Sequence, residues 1–211
     1  MKPPVRRQQT AMRLDPTHAY AAIAELRRRQ GEPVDASRPI ELRLAELKVF
    51  SQHGEDGIID ELVRQLGVTD HWFVEFGVQD GTECNTRVLA EVMGWKGLYF
   101  EPAEAHFRAL ERRWAGSDTV TVVNQAVSPE RVGELFHQYG VPEVFGLLSI
   151  DVDGQDLWIW EALPDRYRPA IVVVECNSSF PRGQAIVEQR GLAWTDEHSD
   201  SFGASIEALR Q

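Results

Sequence analysis

The chain has little cysteine. Cys84 and Cys176 are the only two among 211 residues, too few for a disulfide framework. Neither belongs to a C-x-x-C pair, so the spacing typical of a cysteine-ligated zinc site is missing. A chain of this length can bury a hydrophobic core without disulfides. We therefore expect a protein of a reducing compartment, the cytoplasm.

Long apolar segments and an excess of positive charge are missing as well. No run approaches the roughly 20 apolar residues of a membrane-spanning helix, and no stretch resembles a signal peptide. The 33 acidic residues outnumber the 22 basic ones, and the net charge is −11. Such a charge argues against binding to a phosphate backbone. The composition predicts neither a membrane nor a nucleic acid as partner.

The sequence divides into a leader, residues 1–39, and one domain, residues 40–211. We expect disorder at the N-terminus and then a helix from Thr17, its cap, to Arg29, followed by a linker between Pro33 and Pro39. A further short helix is predicted over 40–47.

From Ser51 onward, helical and strand patterns alternate. Apolar strand patterns predict a parallel sheet that is buried on both faces. The expected fold is a doubly wound, Rossmann-like α/β sheet with right-handed crossovers. Strands are predicted over 72–76, 98–101, 120–124, 146–151 and 170–175, and helices over 55–66, 82–93, 103–114, 129–139 and 156–162.

The first strand ends in Glu75 and runs into a turn with Gly77 and Gly81. Glycines permit a sharp turn and a close approach of the backbone to a ligand, and a helix that starts near Thr82 would point its free N–H groups at the same place. Glu101 ends the second strand about 20 residues later, where a ribose-binding carboxylate is expected. This pattern indicates a nucleoside-binding unit.

Three motifs in order carry a family resemblance. They are Ser-Gln-His-Gly-Glu-Asp-Gly at 51–57, Phe-Val-Glu-Phe-Gly at 73–77 with Asp-Gly-Thr at 80–82, and Ser-Ile-Asp-Val-Asp-Gly at 149–154. Their combination resembles the FkbM-like group of class I S-adenosylmethionine-dependent methyltransferases. The resemblance spans roughly 49–182 and implies S-adenosylmethionine as cofactor.

The resemblance also implies roles for individual residues. Glu75, Gly77 and Gly81 would lie along the methionine part of the cofactor, and Glu101 would bind its ribose hydroxyls. Asp151 would close the pocket from the fourth strand. The remaining implied cofactor residues are those of the motifs and of the third strand's end: Gln52, Asp80, Thr82, and, near the adenine, Asn124 and Ala126. A nicotinamide cofactor is disfavoured because the turn departs from G-x-G-x-x-G.

Acidic residues cluster at the ends of the fourth and fifth strands. Asp151, Glu175 and Asn177 offer oxygen ligands at the sheet edge where ligands bind, an arrangement that suits Mg²⁺. Their separation resembles that of catechol O-methyltransferase, although Cys176 interrupts the acid-amide pair. Asp153 and Asp156 have an alternative interpretation as a turn and helix cap.

Asp151 and two histidines, His53 and His198, are the candidate catalytic bases. Either histidine could accept a hydroxyl proton near neutral pH. The predicted reaction is methyl transfer to a hydroxyl of a natural product or sugar. Two alternatives remain open: a non-catalytic cofactor-binding or interaction subunit, and a metal-dependent hydrolase.

The end of the chain motivates the first alternative. Class I methyltransferases add two strands beside the fifth, and residues 176–211 show no such hairpin pattern. The fifth strand would then be an unprotected apolar edge. We expect a second copy or a partner chain to cover it.

Overall fold

The computed structural model describes residues 16–35, 39–191 and 203–211. Five strands form one open sheet in the order β3-β2-β1-β4-β5, and all neighbouring pairs are parallel. This confirms the predicted open, parallel α/β sheet, an arrangement that is compatible with a Rossmann-like fold. The strands are β1 Trp72–Phe76, β2 Lys96–Phe100, β3 Val120–Val123, β4 Val144–Ile150 and β5 Arg168–Val174.

Helices connect the strands, as the alternating pattern predicts. None of the described helices is both long enough and apolar enough to cross a membrane. The helices are α1 Pro16–Gln30, α2 Leu42–Ala45, α3 Glu55–Gln65, α4 Arg87–Glu91, α5 Glu104–Arg113, α6 Val132–Gln138, α7 Asp156–Glu161 and α8 Ile206–Leu209.

The largest error of the sequence-based assignment concerns α4. It begins at Arg87 and not at Thr82. The backbone N–H groups of Asn85 and Thr86 donate to the carboxylate of Glu75, so the segment before Arg87 is held in an irregular loop. The predicted helix N-terminus near Thr82, with its free N–H groups, is therefore wrong.

Two other helices are shorter than predicted. The helix expected over 40–47 is the single turn α2, because both the N–H and the carbonyl of Leu47 bond to the backbone at Gly54 and Gly57. Helix α6 begins at Val132, after a turn in which the N–H of Arg131 donates to the carbonyl of Ser128.

The sheet is buried on both faces. Alternating strand side chains point to opposite faces, so Phe73 and Tyr99 join one core cluster while Val74 and Phe100 join the other. The first cluster also includes Leu26 of α1, which is fully buried. The predicted leader thus supplies a helix to the same core as the sheet.

Strand β5 is the edge of the sheet among the described residues. Ile171 is buried, whereas Val172, Val173 and Val174 are only half-buried. Beyond β5, the described residues add one isolated antiparallel bridge between Val187 and Ala204, and no strand that joins the sheet. The expectation that a partner covers β5 stays a prediction.

Candidate functional site

A cleft lies over the carboxyl ends of β1, β4 and β5. The strand order reverses beside β1, whose neighbours are β2 and β4, and ligands of α/β sheets bind at such switch points. The cleft has a volume of about 870 Å³. Its lining contains two histidines, His53 and His106, and six carboxylate residues: Glu55, Glu75, Asp80, Glu83, Asp151 and Glu175.

A second cavity, of about 660 Å³, lies between α1, α2 and α3, away from the strand ends. Its charges are largely paired with each other, since Glu25 accepts from both Arg28 and Arg29. The cleft at the switch point is therefore the better candidate site.

Gly77 is needed for contact between two loops. Its φ is +74°, and a Cβ built on it would lie 1.6 Å from the backbone oxygen of Asp151. Gly81 also has a φ of +74°, and its Cβ would lie 2.7 Å from a methyl group of Leu110. Both glycines are therefore explained by close packing within the protein, whereas the sequence pattern predicts that they allow a ligand to approach the backbone.

Glu75 is buried at the end of β1, with 3% of its surface exposed. Its carboxylate accepts hydrogen bonds from the backbone N–H groups of Asn85 (2.8 Å) and Thr86 (3.0 Å) and from the hydroxyl of Thr86 (2.6 Å). Burial raises the pKa of Glu75 to about 7, helped by the charge of Asp151, while the three hydrogen bonds oppose the shift. Glu75 thus holds the loop 82–86 that forms one wall of the cleft.

Glu101, the predicted ribose ligand, is similarly engaged. Its two carboxylate oxygens accept the N–H of Gln79 (2.8 Å) and of Ala103 (2.7 Å). Each oxygen keeps a lone pair for another donor, but only 3% of the residue is exposed. His106 was missed by the sequence patterns; it lines the cleft, and its Nδ1 lies 3.9 Å from Glu101.

The two predicted adenine-side residues lie beside this turn. The amide of Asn124 donates to the backbone oxygens of Glu101 (2.9 Å) and Pro102 (3.1 Å), so it braces the chain after β2. Ala126 is exposed. Neither Asn124 nor Ala126 is among the described residues that line the cleft.

The motif at 51–57 is explained mainly by Asp56. Its carboxylate is buried and accepts the backbone N–H groups of residues 49–51, and a Cβ on Gly57 would lie 2.2 Å from a backbone oxygen of α2. These contacts fold a tight loop before α3. The loop carries Gln52, His53 and Glu55 into the lining of the cleft, whereas Thr82 and Asp80 line it from the β1 side.

The acidic residues at the ends of β4 and β5 meet as expected. Asp151, Asp156 and Glu175 bring one oxygen each within 4.8 Å of one another. Asp156 is buried and accepts the N–H groups of Val152 (2.8 Å) and Gly154 (3.0 Å). Its predicted turn role is confirmed, but it does not precede α7 as a cap, because it is the first residue of that helix.

Burial and mutual repulsion make this cluster retain protons. The pKa of Glu175 rises to about 8 and that of Asp151 to about 6, in both cases first because burial disfavours the charged form and then because neighbouring carboxylates repel it. Asp151 is exposed to the cleft, yet the surrounding walls remove enough water to raise its pKa. At neutral pH the cluster therefore holds a proton that a cation could displace.

The other predicted ligand and the predicted histidine bases have different surroundings. The side-chain oxygen of Asn177 accepts the N–H of Ser179 (2.8 Å) in a local turn. Asp156 is the third acid beside Asp151 and Glu175. His53 is exposed at the cleft, and His198 lies outside the described residues.

Comparison with known proteins does not assign this chain to a family. A scan against protein-family models found no match, and a search of curated proteins found no similar sequence.

Proposed function

We propose that this protein is an S-adenosylmethionine-dependent methyltransferase that methylates a hydroxyl of a small molecule, such as a natural product or a sugar. The observation that carries the proposal is the acidic cleft at the switch point of the sheet. We further propose that it acts in the cytoplasm, because a low cysteine content is typical of reducing compartments.

The charge of the cleft selects among nucleoside cofactors. Among the described residues that line it, none is lysine or arginine. Of its six carboxylates, only Glu83 forms an ion pair with a basic residue in the described part of the chain, with Lys48 at 3.6 Å. S-Adenosylmethionine carries net positive charge because of its sulfonium and ammonium groups, whereas dinucleotides and nucleoside triphosphates are anionic. Coulombic attraction therefore favours the sulfonium cofactor.

The proposed placement follows the resemblance, adjusted by the contacts. The ribose would lie near Glu101 and the exposed His106, with the adenine toward Asn124 and Ala126. The methionine part would lie over Gly77 and the wall held by Glu75. Gln52, Asp80 and Thr82, which line the cleft, would shape this half, with Gly81 in the same turn.

The acceptor would lie on the β4 and β5 side, next to Asp151 and Glu175. Its hydroxyl oxygen would attack the methyl carbon in line with the sulfur, the carbon–sulfur electron pair would remain on sulfur, and the hydroxyl proton would pass to Asp151. Alignment of two reactants can lower a barrier by roughly 7–11 kcal/mol without a covalent enzyme intermediate. His53 and His198 remain the other candidate bases.

The acid cluster also fits a divalent cation. Three carboxylates with oxygens within 4.8 Å match the oxygen ligands of Mg²⁺. Asp151 and Glu175 would hold the ion, with Asp156 beside them. Asn177 would be a further ligand, because its side-chain oxygen keeps a lone pair while it accepts the N–H of Ser179. When bound, Mg²⁺ would lower the pKa of the acceptor hydroxyl.

A second candidate function is a cofactor-binding or interaction subunit. The half-buried valines of β5, at the edge of the described sheet, favour it because unprotected strand edges associate. Light scattering on the purified chain would test for a homo-oligomer or a requirement for a partner chain. A monomer at high concentration would remove this support.

Isothermal titration distinguishes the proposals. We expect micromolar binding of S-adenosylmethionine and no comparable binding of NAD or ATP. Tight binding of an anionic nucleotide without S-adenosylmethionine binding would contradict the proposed function, whereas S-adenosylmethionine binding without turnover of any hydroxyl acceptor would favour the interaction subunit.

A further inference from the structure

Gln79 has an unusual backbone for its residue type. Its φ is +50°, and among the described residues only Gln79 and Asp153 are non-glycine residues with positive φ. Residues other than glycine, asparagine and aspartate rarely adopt positive φ. Glutamine at this position therefore needs a reason.

The turn around Gln79 strengthens this point. The N–H of Gly81 donates to the carbonyl of Val78 at 3.0 Å, which closes a four-residue turn with Gln79 as its second residue. Positive φ at the second residue characterises turns in which glycine, asparagine and aspartate dominate. A chain that needed only the turn would be served better by glycine, since glycine adopts this conformation without steric cost.

The side chain of Gln79 is available to a ligand. It is exposed and lines the cleft, and no group in the described part of the chain forms a hydrogen bond with its amide. Its backbone N–H is fixed on Glu101 at 2.8 Å. This hydrogen bond fixes the backbone of Gln79, so its side chain extends from a defined position beside Glu101, the carboxylate proposed to bind the ribose.

We propose that Gln79 is a cofactor-binding residue whose side-chain amide contacts a ribose hydroxyl, and that the strained turn is retained to present it. An amide both donates and accepts, so it matches a hydroxyl group. Strained backbone at functional sites commonly serves such positioning. This inference rests on the proposed function, because it requires that the cleft binds S-adenosylmethionine.

Two variants separate the side chain from the backbone. Gln79→Ala keeps the strained φ and removes the amide, whereas Gln79→Gly removes both the amide and the strain. Each should weaken binding of S-adenosylmethionine and of S-adenosylhomocysteine by the same factor, about fivefold, because the two ligands share the ribose. The melting temperature of Gln79→Gly should equal or exceed that of the wild type. Gln138→Ala, an exposed change on α6, is the control for both readouts.

Each outcome has a distinct meaning. Weaker binding in a Gln79→Gly protein of undiminished stability supports the inference, since misfolding cannot cause it. Unchanged affinity of both variants, with wild-type binding intact, overturns the inference alone. Absence of wild-type binding overturns both the inference and the proposed function. A melting temperature of Gln79→Gly several degrees below the wild type overturns the claim of strain.

Discussion

Two pairs of carboxylates in and beside the cleft differ in burial and in hydrogen bonding. On the β1 and β2 side, Glu75 and Glu101 are nearly fully buried and accept backbone N–H groups from the loops beside them. On the β4 and β5 side, Asp151 and Glu175 are less buried and face each other. The first pair stabilises the loops beside β1 and β2, and the second pair is the one to which the proposed function assigns the cation and the proton transfer. The same residue type thus has a structural role in the first pair and a proposed chemical role in the second.

The largest expected effect is on turnover. Asp151→Asn keeps the shape of the side chain but cannot take a proton or hold a cation well, so methyl transfer should fall at least about a hundredfold. Binding of S-adenosylmethionine should change far less. Steady-state kinetics with a methylated-product assay would measure it, with Asp165→Asn, an exposed acid, as control. Activity near the wild-type level would remove Asp151 from the mechanism.

Replacement of Glu75 should chiefly affect folding. Glu75→Ala leaves the N–H groups of Asn85 and Thr86 without their acceptor, and each unsatisfied buried group costs about 1–3 kcal/mol. We expect the free energy of unfolding to fall by about 3 kcal/mol, and by less in Glu75→Gln, which keeps one acceptor oxygen. Urea unfolding measures this, with the exposed Glu111→Ala as control. A loss below about 0.5 kcal/mol would mean that the loop is held by other contacts.

Replacement of Glu101 should affect both the loop contacts and cofactor binding. Glu101→Ala removes the acceptor for the N–H groups of Gln79 and Ala103 and the proposed ribose contact, so binding of S-adenosylmethionine should weaken by about 1.5–3 kcal/mol. Isothermal titration on a variant shown to be folded by circular dichroism is the measurement. Unchanged affinity would restrict Glu101 to the loop.

The last prediction concerns pH. Folding raises the pKa of Glu75 from 4.5 to about 7 and that of Glu175 from 4.5 to about 8. The folded state therefore binds protons more tightly, and these groups lower stability progressively as pH rises from about 4.5 to 8. Because one pKa unit corresponds to about 1.4 kcal/mol, we expect the two groups together to lower the free energy of unfolding by on the order of several kcal/mol across that window, and Mg²⁺ to reduce this loss at pH 8 more than at pH 5. The measurement is chemical denaturation at both pH values, with and without Mg²⁺. A stability that is independent of pH, or that rises with pH, would contradict the raised pKa values of Glu75 and Glu175.

The sequence predicted the sheet well because strand periodicity and strand-end acids are local patterns. It placed Asp151, Glu175 and Glu101 correctly at one sheet edge, since parallel strands end together. It misplaced the start of α4 because the loop 82–86 is held by Glu75, a contact between residues ten positions apart. His106 and the φ of Gln79 could not be inferred, because both depend on how α5 and the turn after β1 meet in space.

The most direct test is a titration of S-adenosylmethionine into the wild-type chain and into Asp151→Asn, each with excess chelator. If one half of the cleft binds the cofactor and the other performs the chemistry, both proteins should bind it with similar micromolar affinity, while only the wild type with Mg²⁺ restored should turn over. Failure of the wild type to bind, or binding that requires Mg²⁺, would contradict this division of the site.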